Sequence, residues 1–377
     1  MRKGTDSFSV TRRRFLKTTG GLLAAAPAVA RGGAPPASEV PTAPPVIPTP
    51  PTARRKIPIG VFTPVYDHLS LDQMLDKISA LGLEAVEVGT GGYPAAKHCP
   101  VTDLLADPAK AKAWKKKFED RNILVATLSC HGNPLHPDPA IAQRDDADFR
   151  KTVMLAERLE VPVIVTFSGC PGGSPTDTMP NWATYRWPDE FDQVLKWQWS
   201  ERVIPYWKQA AKFAREHGIR KIALEMHPGF VVYNPHKLLR LREAVGEEIG
   251  ANCDPSHLFW QGCDPVEVIH YLAKHEALFH AHMKDAVIIQ PEAARYGVLD
   301  FEAEPLHLSP GSVMFRAVGY GHSAQLWMDI VKAYMDVGFQ GILSIENEDP
   351  ILPGEVGVER AAYVLKNVRD ELLASKT

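Results

Sequence analysis

From residue 57 onward the chain repeats one pattern eight times: a short apolar run, then an amphipathic stretch. The apolar runs fall at 57–65, 85–88, 124–129, 161–167, 221–224, 248–252, 278–283 and 341–345. The first connecting stretch is typical. Leu71, Met74, Leu75 and Ile78 recur at helical spacing, Ser70 precedes them as an N-cap and Gly82 follows as a stop. Strands alternating with helices in one domain, without intervening hairpins, predict an α/β fold of the (β/α)8 TIM-barrel type. A doubly wound sheet is the alternative, but no GxGxxG turn follows the first run, which weighs against its nucleotide-binding form.

A barrel brings the C-terminal ends of all its strands to one face. Runs five to eight finish in Glu225, Asp254-Pro255-Ser256-His257, His282 and Glu346. Each residue has a plain reading. Glu225 pairs with Lys221 or Lys284, Asp254 caps a turn or helix, His282 is a core histidine, and Glu346 belongs to a solvated acidic patch with Glu348 and Asp349. Four such coincidences at four successive strand ends point instead to one site. Three carboxylates crowded together either raise one another's pKa or bind a cation. Oxygen and nitrogen donors without thiolate suit one divalent ion, manganese first, with magnesium, cobalt or zinc as alternatives. Such an ion on two sugar oxygens acidifies the C–H next to a carbonyl by stabilising the enediolate, and two carboxylates flanking that carbon can move its proton. Glu225 and Glu346 are the natural pair. His257, three residues beyond Asp254, is expected to point at the substrate. His131 ends the third strand and is either a further base or an ordinary loop histidine. Glu87 ends the second strand as a weaker substrate-binding candidate. Arg316 is placed to clamp an anionic or developing oxygen, or else lies on the surface.

These motifs resemble the xylose-isomerase-like barrel superfamily of sugar (phosphate) isomerases and epimerases, over about residues 57–373. The resemblance rests on Leu224-Glu225-Met226-His227-Pro228, Asp254-Pro255-Ser256-His257, His282-Met283-Lys284-Asp285, Ser344-Ile345-Glu346 and the Gly319-Tyr320-Gly321 turn. It implies that Glu225, Asp254, His282 and Glu346 hold one divalent metal. It also implies that Glu225 and Glu346 double as acid and base, with His257 and Arg316 on the substrate. The stretches Cys130-His131-Gly132-Asn133-Pro134 and Gly169-Cys170-Pro171-Gly172-Gly173 resemble bacterial members grouped with sugar oxidoreductases. Asp-Pro-Ser-His also resembles the apurinic endonucleases of this fold. Their additional Asp-x-His pair is absent here, where Phe315-Arg316-Ala317-Val318-Gly319 stands in its place.

Charge argues against a nucleic-acid partner, and the expected partner is the small-molecule carbohydrate that the resemblance implies. The chain has 377 residues and a formal net charge of -3. Its first 30 residues carry six Lys or Arg against one Asp, so their removal would leave -8. Thr11-Arg12-Arg13-Arg14-Phe15-Leu16-Lys17, a mild apolar stretch and Ala28-Val29-Ala30 resemble a twin-arginine signal peptide over 1–30 with a cleavage site. An uncleaved anchor is the alternative, but the stretch is too short and weakly apolar for a stable membrane span. Residues 31–56 read as a Pro-rich linker and 57–377 as the barrel, giving an exported, periplasmic protein. The five cysteines show no CxxC spacing, so no zinc ribbon or disulfide framework follows. A homo-oligomer is compatible with the sequence. The leading expectation is an isomerase or epimerase of a sugar, keto-sugar or cyclitol. The alternatives are a lyase cleaving 3-keto-glycosides by β-elimination and a non-catalytic carbohydrate-binding barrel. The long loop 168–199, with Trp182, Trp187, Trp197 and Trp199, is expected either to lid the site or to pack on the barrel rim.

Overall fold

Eight parallel strands close on themselves in the computed structural model, which describes residues 55–93, 96–299 and 311–375. The barrel strands are β1 (Ile59–Phe62), β2 (Ala85–Gly92), β3 (Leu124–His131), β4 (Val163–Phe167), β5 (Lys221–Glu225), β6 (Ile249–Cys253), β7 (Leu278–Met283) and β10 (Leu343–Ile345). A two-stranded antiparallel hairpin, β8 (Asp285–Ile288) and β9 (Val313–Arg316), is inserted after β7. Neighbours around the ring run β1, β10, β7, β6, β5, β4, β3, β2. The fold is the (β/α)8 TIM barrel that the alternation predicts.

The helices start where local chemistry asks them to. Ser70 accepts from the Gln73 amide and Gln73 returns the bond, a capping box ahead of helix Leu71–Ala80. Asn234 caps Pro235–Val245 and Asp264 caps Pro265–Lys274, each with proline in the first turn. Two features depart from the sequence reading. The β8–β9 hairpin interrupts the simple alternation. Loop 168–199 also contains a helix, Asp189–Trp197, that continues through a π-helical turn, Gln198–Val203. Residues 1–54 lie outside the described residues, and with them the signal-peptide and most of the linker expectation. Among the described residues no helix is long and apolar enough to cross a membrane. All five cysteines are free thiols.

The lower barrel is filled by apolar side chains, Val163, Val165, Ala223 and Phe279. Gly250 on β6 makes room for Phe279: a Cβ there would stand 2.2 Å from the ring. Gly250→Ala therefore forces that ring to shift and should lower the unfolding free energy by about 1–3 kcal/mol, the usual cost of overpacking. A denaturant titration checks this; an unchanged midpoint would refute it.

The Gly319-Tyr320-Gly321 turn is tied to the motif acid Asp285. One Asp285 oxygen accepts from the amides of Gly319, Gly321 and His322 at 3.0 Å each and from the Trp327 indole at 3.1 Å. Gly319 has a positive φ of 86°, and a Cβ on Gly321 would sit 2.3 Å from the Ala286 carbonyl. Asp285 thus anchors the chain where it leaves the hairpin.

Candidate metal centre

Glu225 ends β5, Asp254 follows β6, His282 lies near the end of β7 and Glu346 follows β10. Each offers one ligand atom, and these four atoms lie within 4.8 Å of one another. His282 Nδ1 stands 3.1 Å from Glu346 Oε2, 3.4 Å from Glu225 Oε2 and 4.0 Å from Asp254 Oδ2. Barrel closure brings together side chains up to 121 positions apart in the chain, Glu225 to Glu346.

Asp254 divides its two oxygens between the two readings of it. Oδ1 accepts from the Ser256 amide at 2.8 Å and caps the short helix Pro255–Phe259. Oδ2 is buried, turned to the cluster, and makes no hydrogen bond of good geometry, as does His282 Nδ1. Charged neighbours stand close to both, Lys284 Nζ at 3.1 Å from Oδ2, yet without hydrogen-bond alignment. Two orphaned donor atoms facing one point, in a set of three carboxylates and an imidazole, fit a divalent cation. The cluster is a divalent-metal-binding site by its donor set.

The other face of His282 is held from below. His282 Nε2 lies 3.0 Å from Glu87 Oε2, and Glu87 also takes His280 Nε2 and Ser344 Oγ at 2.7 Å and a bond from Ser129 Oγ. Burial pushes the Glu87 carboxyl up, but the charge and hydrogen bonds of His282 and His280 more than reverse this and hold it well below its usual value. Sequence reasoning put Glu87 on the substrate. The structure places it fully buried under the cluster, with all its partners from the barrel interior. A carboxylate behind a ligating imidazole fixes the ring's tautomer and orientation. Glu87→Gln should therefore weaken divalent-ion affinity by about 10–100-fold. Calorimetric titration with Mn²⁺ measures it, and an unchanged affinity would count against this role. His280 was missed, although the strand period of two sends positions 280, 282 and 284 to one face.

Lys284 was also missed as a member of the site. Its ammonium is buried 2.6 Å from Glu346 Oε2, 3.0 Å from Glu348 Oε2 and 3.1 Å from Asp254 Oδ2. Burial lowers its pKa, but Asp254, Glu346 and Glu348 together raise it well above the ordinary lysine value. Glu346 answers in kind: burial raises it, and Lys284 and His282 bring it down to about 2. Glu225 sits between two histidines, His131 Nε2 3.2 Å from Oε2 and His257 Nε2 3.2 Å from Oε1. Burial raises the Glu225 carboxyl, and His282, His131 and His257 carry it well below its usual value.

A cavity of about 530 Å³ opens onto the cluster, and Glu225, Lys284, Glu346 and His131 line it. His257 packs behind Glu225, 4.1 Å ring to ring from His227 and edge-on to Phe315 at 5.4 Å. Arg316 is paired with Asp349 at 2.9 Å and lies over the Tyr320 ring, so it stands away from the lining. Around the mouth stand Phe62, Tyr93, Phe167 and Phe230 instead of the loop tryptophans. Trp199 is buried in the core, and Trp182 donates to the Phe230 carbonyl at 2.9 Å. Another cavity, about 280 Å³, lies at the opposite end of the strands around Lys221 and Phe279, away from the grouped ligands.

A family model described as "Xylose isomerase-like TIM barrel" matches residues 75–368. The chain is 38% identical over 311 residues to "Uncharacterized protein YfiH" of Bacillus subtilis (strain 168), covering 82% of this chain and 98% of that protein. Its fold is similar to that of the probable 3-DHS dehydratase AsbF of Bacillus anthracis, with a TM-score of 0.58 at 15% identity, over 82% of this chain and 99% of the other. It is likewise similar to a D-tagatose 3-epimerase-like protein, with a TM-score of 0.54 at 18% identity, over 84% and 99% of the two chains. At these identities the structural likenesses speak to fold alone.

Proposed function

The chain belongs to the xylose isomerase-like TIM-barrel family, and on that premise we propose that it is a divalent-metal-dependent enzyme moving a proton next to the carbonyl of a sugar, keto-sugar or cyclitol, as an isomerase or epimerase. The observation that carries this reading is the pair Glu225 and Glu346. Both face the same cavity, from strands on either side of β7, with Oε2 atoms 3.4 and 3.1 Å from His282 Nδ1.

When bound among these four ligands, a divalent ion, manganese by preference, lowers the cost of negative charge on a carbonyl oxygen. The protein's own groups do the rest. Glu225 takes the proton from the carbon beside the carbonyl, and the electron pair left behind moves onto the carbonyl oxygen as the enediolate forms. Glu346 returns a proton to the opposite face of that carbon in an epimerase, or to the neighbouring carbon in an isomerase. His131 and His257, one on each Glu225 oxygen, hold that carboxylate ionised and oriented. Lys284, a buried cation at the cavity wall, donates to a substrate oxygen. Substrate binding by His257 and Arg316 requires each to leave the partners described above. Export by the twin-arginine route stays part of the proposal, because the Thr11–Lys17 motif motivates it.

Elimination from a 3-keto-glycoside is a second reading favoured by His131. It lines the cavity 3.2 Å from Glu225, so two proton-accepting groups share one wall. Incubation with keto-sugars and 3-keto-glycosides, with Mn²⁺ in deuterated water, separates the readings. Deuterium beside the carbonyl with a sugar isomer means isomerisation or epimerisation, and released aglycone means elimination. No exchange with any of them, from protein that binds the sugar, would leave a binding barrel.

A further inference from the structure

Beside Glu225, whose register partner on β4 is Phe167, the cavity wall changes character. Phe167 and Phe230 lie in a near-parallel stack, 4.2 Å between ring centroids and 18° apart. His227 meets both rings edge-on, at 5.1 and 5.5 Å. His131 touches Phe167 at 4.6 Å, so ring surface runs without a break from the Glu225 side of the cluster outward to Phe230. Phe167 and Phe230 are half-buried, which leaves part of each ring facing the cavity they line.

This wall is built to stay in place. The Phe230 carbonyl accepts from the Trp182 indole at 2.9 Å. The next two amides are tied to the end of β4: Val231 donates to the Gly169 carbonyl at 3.0 Å and Val232 to Ser168 Oγ at 2.9 Å. Ordering these rings is already done before any ligand arrives, so stacking on them costs little further entropy. The charge around the cavity narrows the ligand. Among the described residues that line it, Lys284 is the one lysine or arginine, and Glu346, Glu348 and Asp254 already surround its ammonium. A phosphate or carboxylate would enter beside Asp67, Glu346 and Glu348, whose charges oppose it.

We infer that the mouth has two subsites: the inner one, at the four-ligand cluster, takes a neutral polyhydroxylated ring, and the outer one, on Phe167, His227 and Phe230, takes the flat apolar face of a second ring. The ligand class is then a neutral glycoside, with the sugar or keto-sugar of the proposed reaction as its inner ring, and not a sugar phosphate. A cavity of about 530 Å³ lies within the range of sites that bury small ligands of this kind. The inference rests on the proposed carbohydrate reading for its inner ring; its outer ring rests on the aromatic wall.

Equilibrium binding to the full chain, with Mn²⁺ content measured on the same samples, tests it. The probes are methyl β-D-glucopyranoside, phenyl β-D-glucopyranoside, cellobiose and glucose 6-phosphate. The phenyl glycoside should bind about 10-fold or more tighter than the methyl glycoside, as one stacked ring allows. Cellobiose between the two says that a sugar face also suits the wall, and cellobiose equal to methyl assigns the wall to aromatic aglycones. Glucose 6-phosphate should be the weakest. Phe230→Ala should bring the phenyl-to-methyl ratio to within about twofold with Mn²⁺ content unchanged, and Phe230→Trp should keep the preference. Equal binding of phenyl and methyl glycosides, a preference that survives both Phe230→Ala and Phe167→Ala, or no binding of the phenyl glycoside at millimolar concentration would each overturn the inference. Protein that retains Mn²⁺ but shows no phenyl preference sinks the outer subsite alone. Protein that prefers the phenyl glycoside but takes up no divalent ion sinks the catalytic reading alone.

Discussion

His282→Ala protein should fold, lose its affinity for divalent ions by more than about 100-fold, and show no proton exchange on any sugar. The imidazole contributes the one nitrogen of the cluster, and its Nδ1 is the atom from which all three carboxylates are 3.1 to 4.0 Å away. Its removal leaves Glu225, Asp254 and Glu346 facing one another without the imidazole between them, and it strips Glu87 of a partner. The effect should depend on pH even in the wild type. Burial alone would lower the His282 pKa, but Glu346, Glu87 and Glu225 reverse this and raise it well above the ordinary histidine value in the metal-free protein. A cation must displace that proton, so metal uptake releases a proton and affinity falls as pH falls. The sign for stability is opposite. A raised imidazole stabilises the metal-free fold fully below the unfolded value, near 6.5, and that contribution is lost as pH rises through the higher folded value. Thermal melts with and without Mn²⁺ should thus diverge most on the alkaline side. Equal Mn²⁺ affinity for His282→Ala and wild type would dismiss the centre as a metal site.

What could be read from the chain alone was what depends on strand order and period. Glu225, Asp254, His282 and Glu346 each end an apolar run, and a barrel has only one face for such ends, so their convergence needs no contact information. The helix Leu71–Ala80 was equally legible, because Ser70 marks its start and Gly82 its stop locally. What escaped depended on depth and angle. Glu87 ends its run in the sequence reading, but β2 continues to Gly92, and a longer strand leaves Glu87 below the mouth with its carboxylate turned inward. Arg316 looked free because its partner Asp349 lies 33 positions on, beyond the last barrel strand. Lys284 and His280 had a visible signal, the alternation along β7 with His282, but a buried lysine becomes credible only once Asp254, Glu346 and Glu348 are seen around it. The β8–β9 hairpin hid in a stretch whose strands are four residues each, too short for a period to declare itself.

Glu225→Gln and Glu346→Gln should each cut turnover by about 10²–10⁴-fold, yet fail in different ways. Glutamine keeps the shape and one acceptor oxygen while removing the charge that accepts a proton. Glu225 is the more enclosed of the two, with His257 on one oxygen and His131 on the other, and Asn252 Nδ2 3.4 Å from Oε2. Glu346 keeps some exposure and shares its Oε2 between Lys284 and His282. Two bases on different sides of one carbon act in sequence, so removing one leaves the other able to exchange its own proton with solvent. A substrate whose proton leaves to Glu225 should still exchange deuterium in Glu346→Gln without forming the epimer, whereas Glu225→Gln should show neither exchange nor product from that substrate. Started from the epimer, the pattern should reverse. Mass spectrometry of recovered substrate and product reads both outcomes from one incubation, with bound Mn²⁺ measured alongside to separate lost chemistry from a lost ion. If both variants exchanged and converted substrate at the wild-type rate, the carboxylates would be ligands only, and the proton would have to travel through His131.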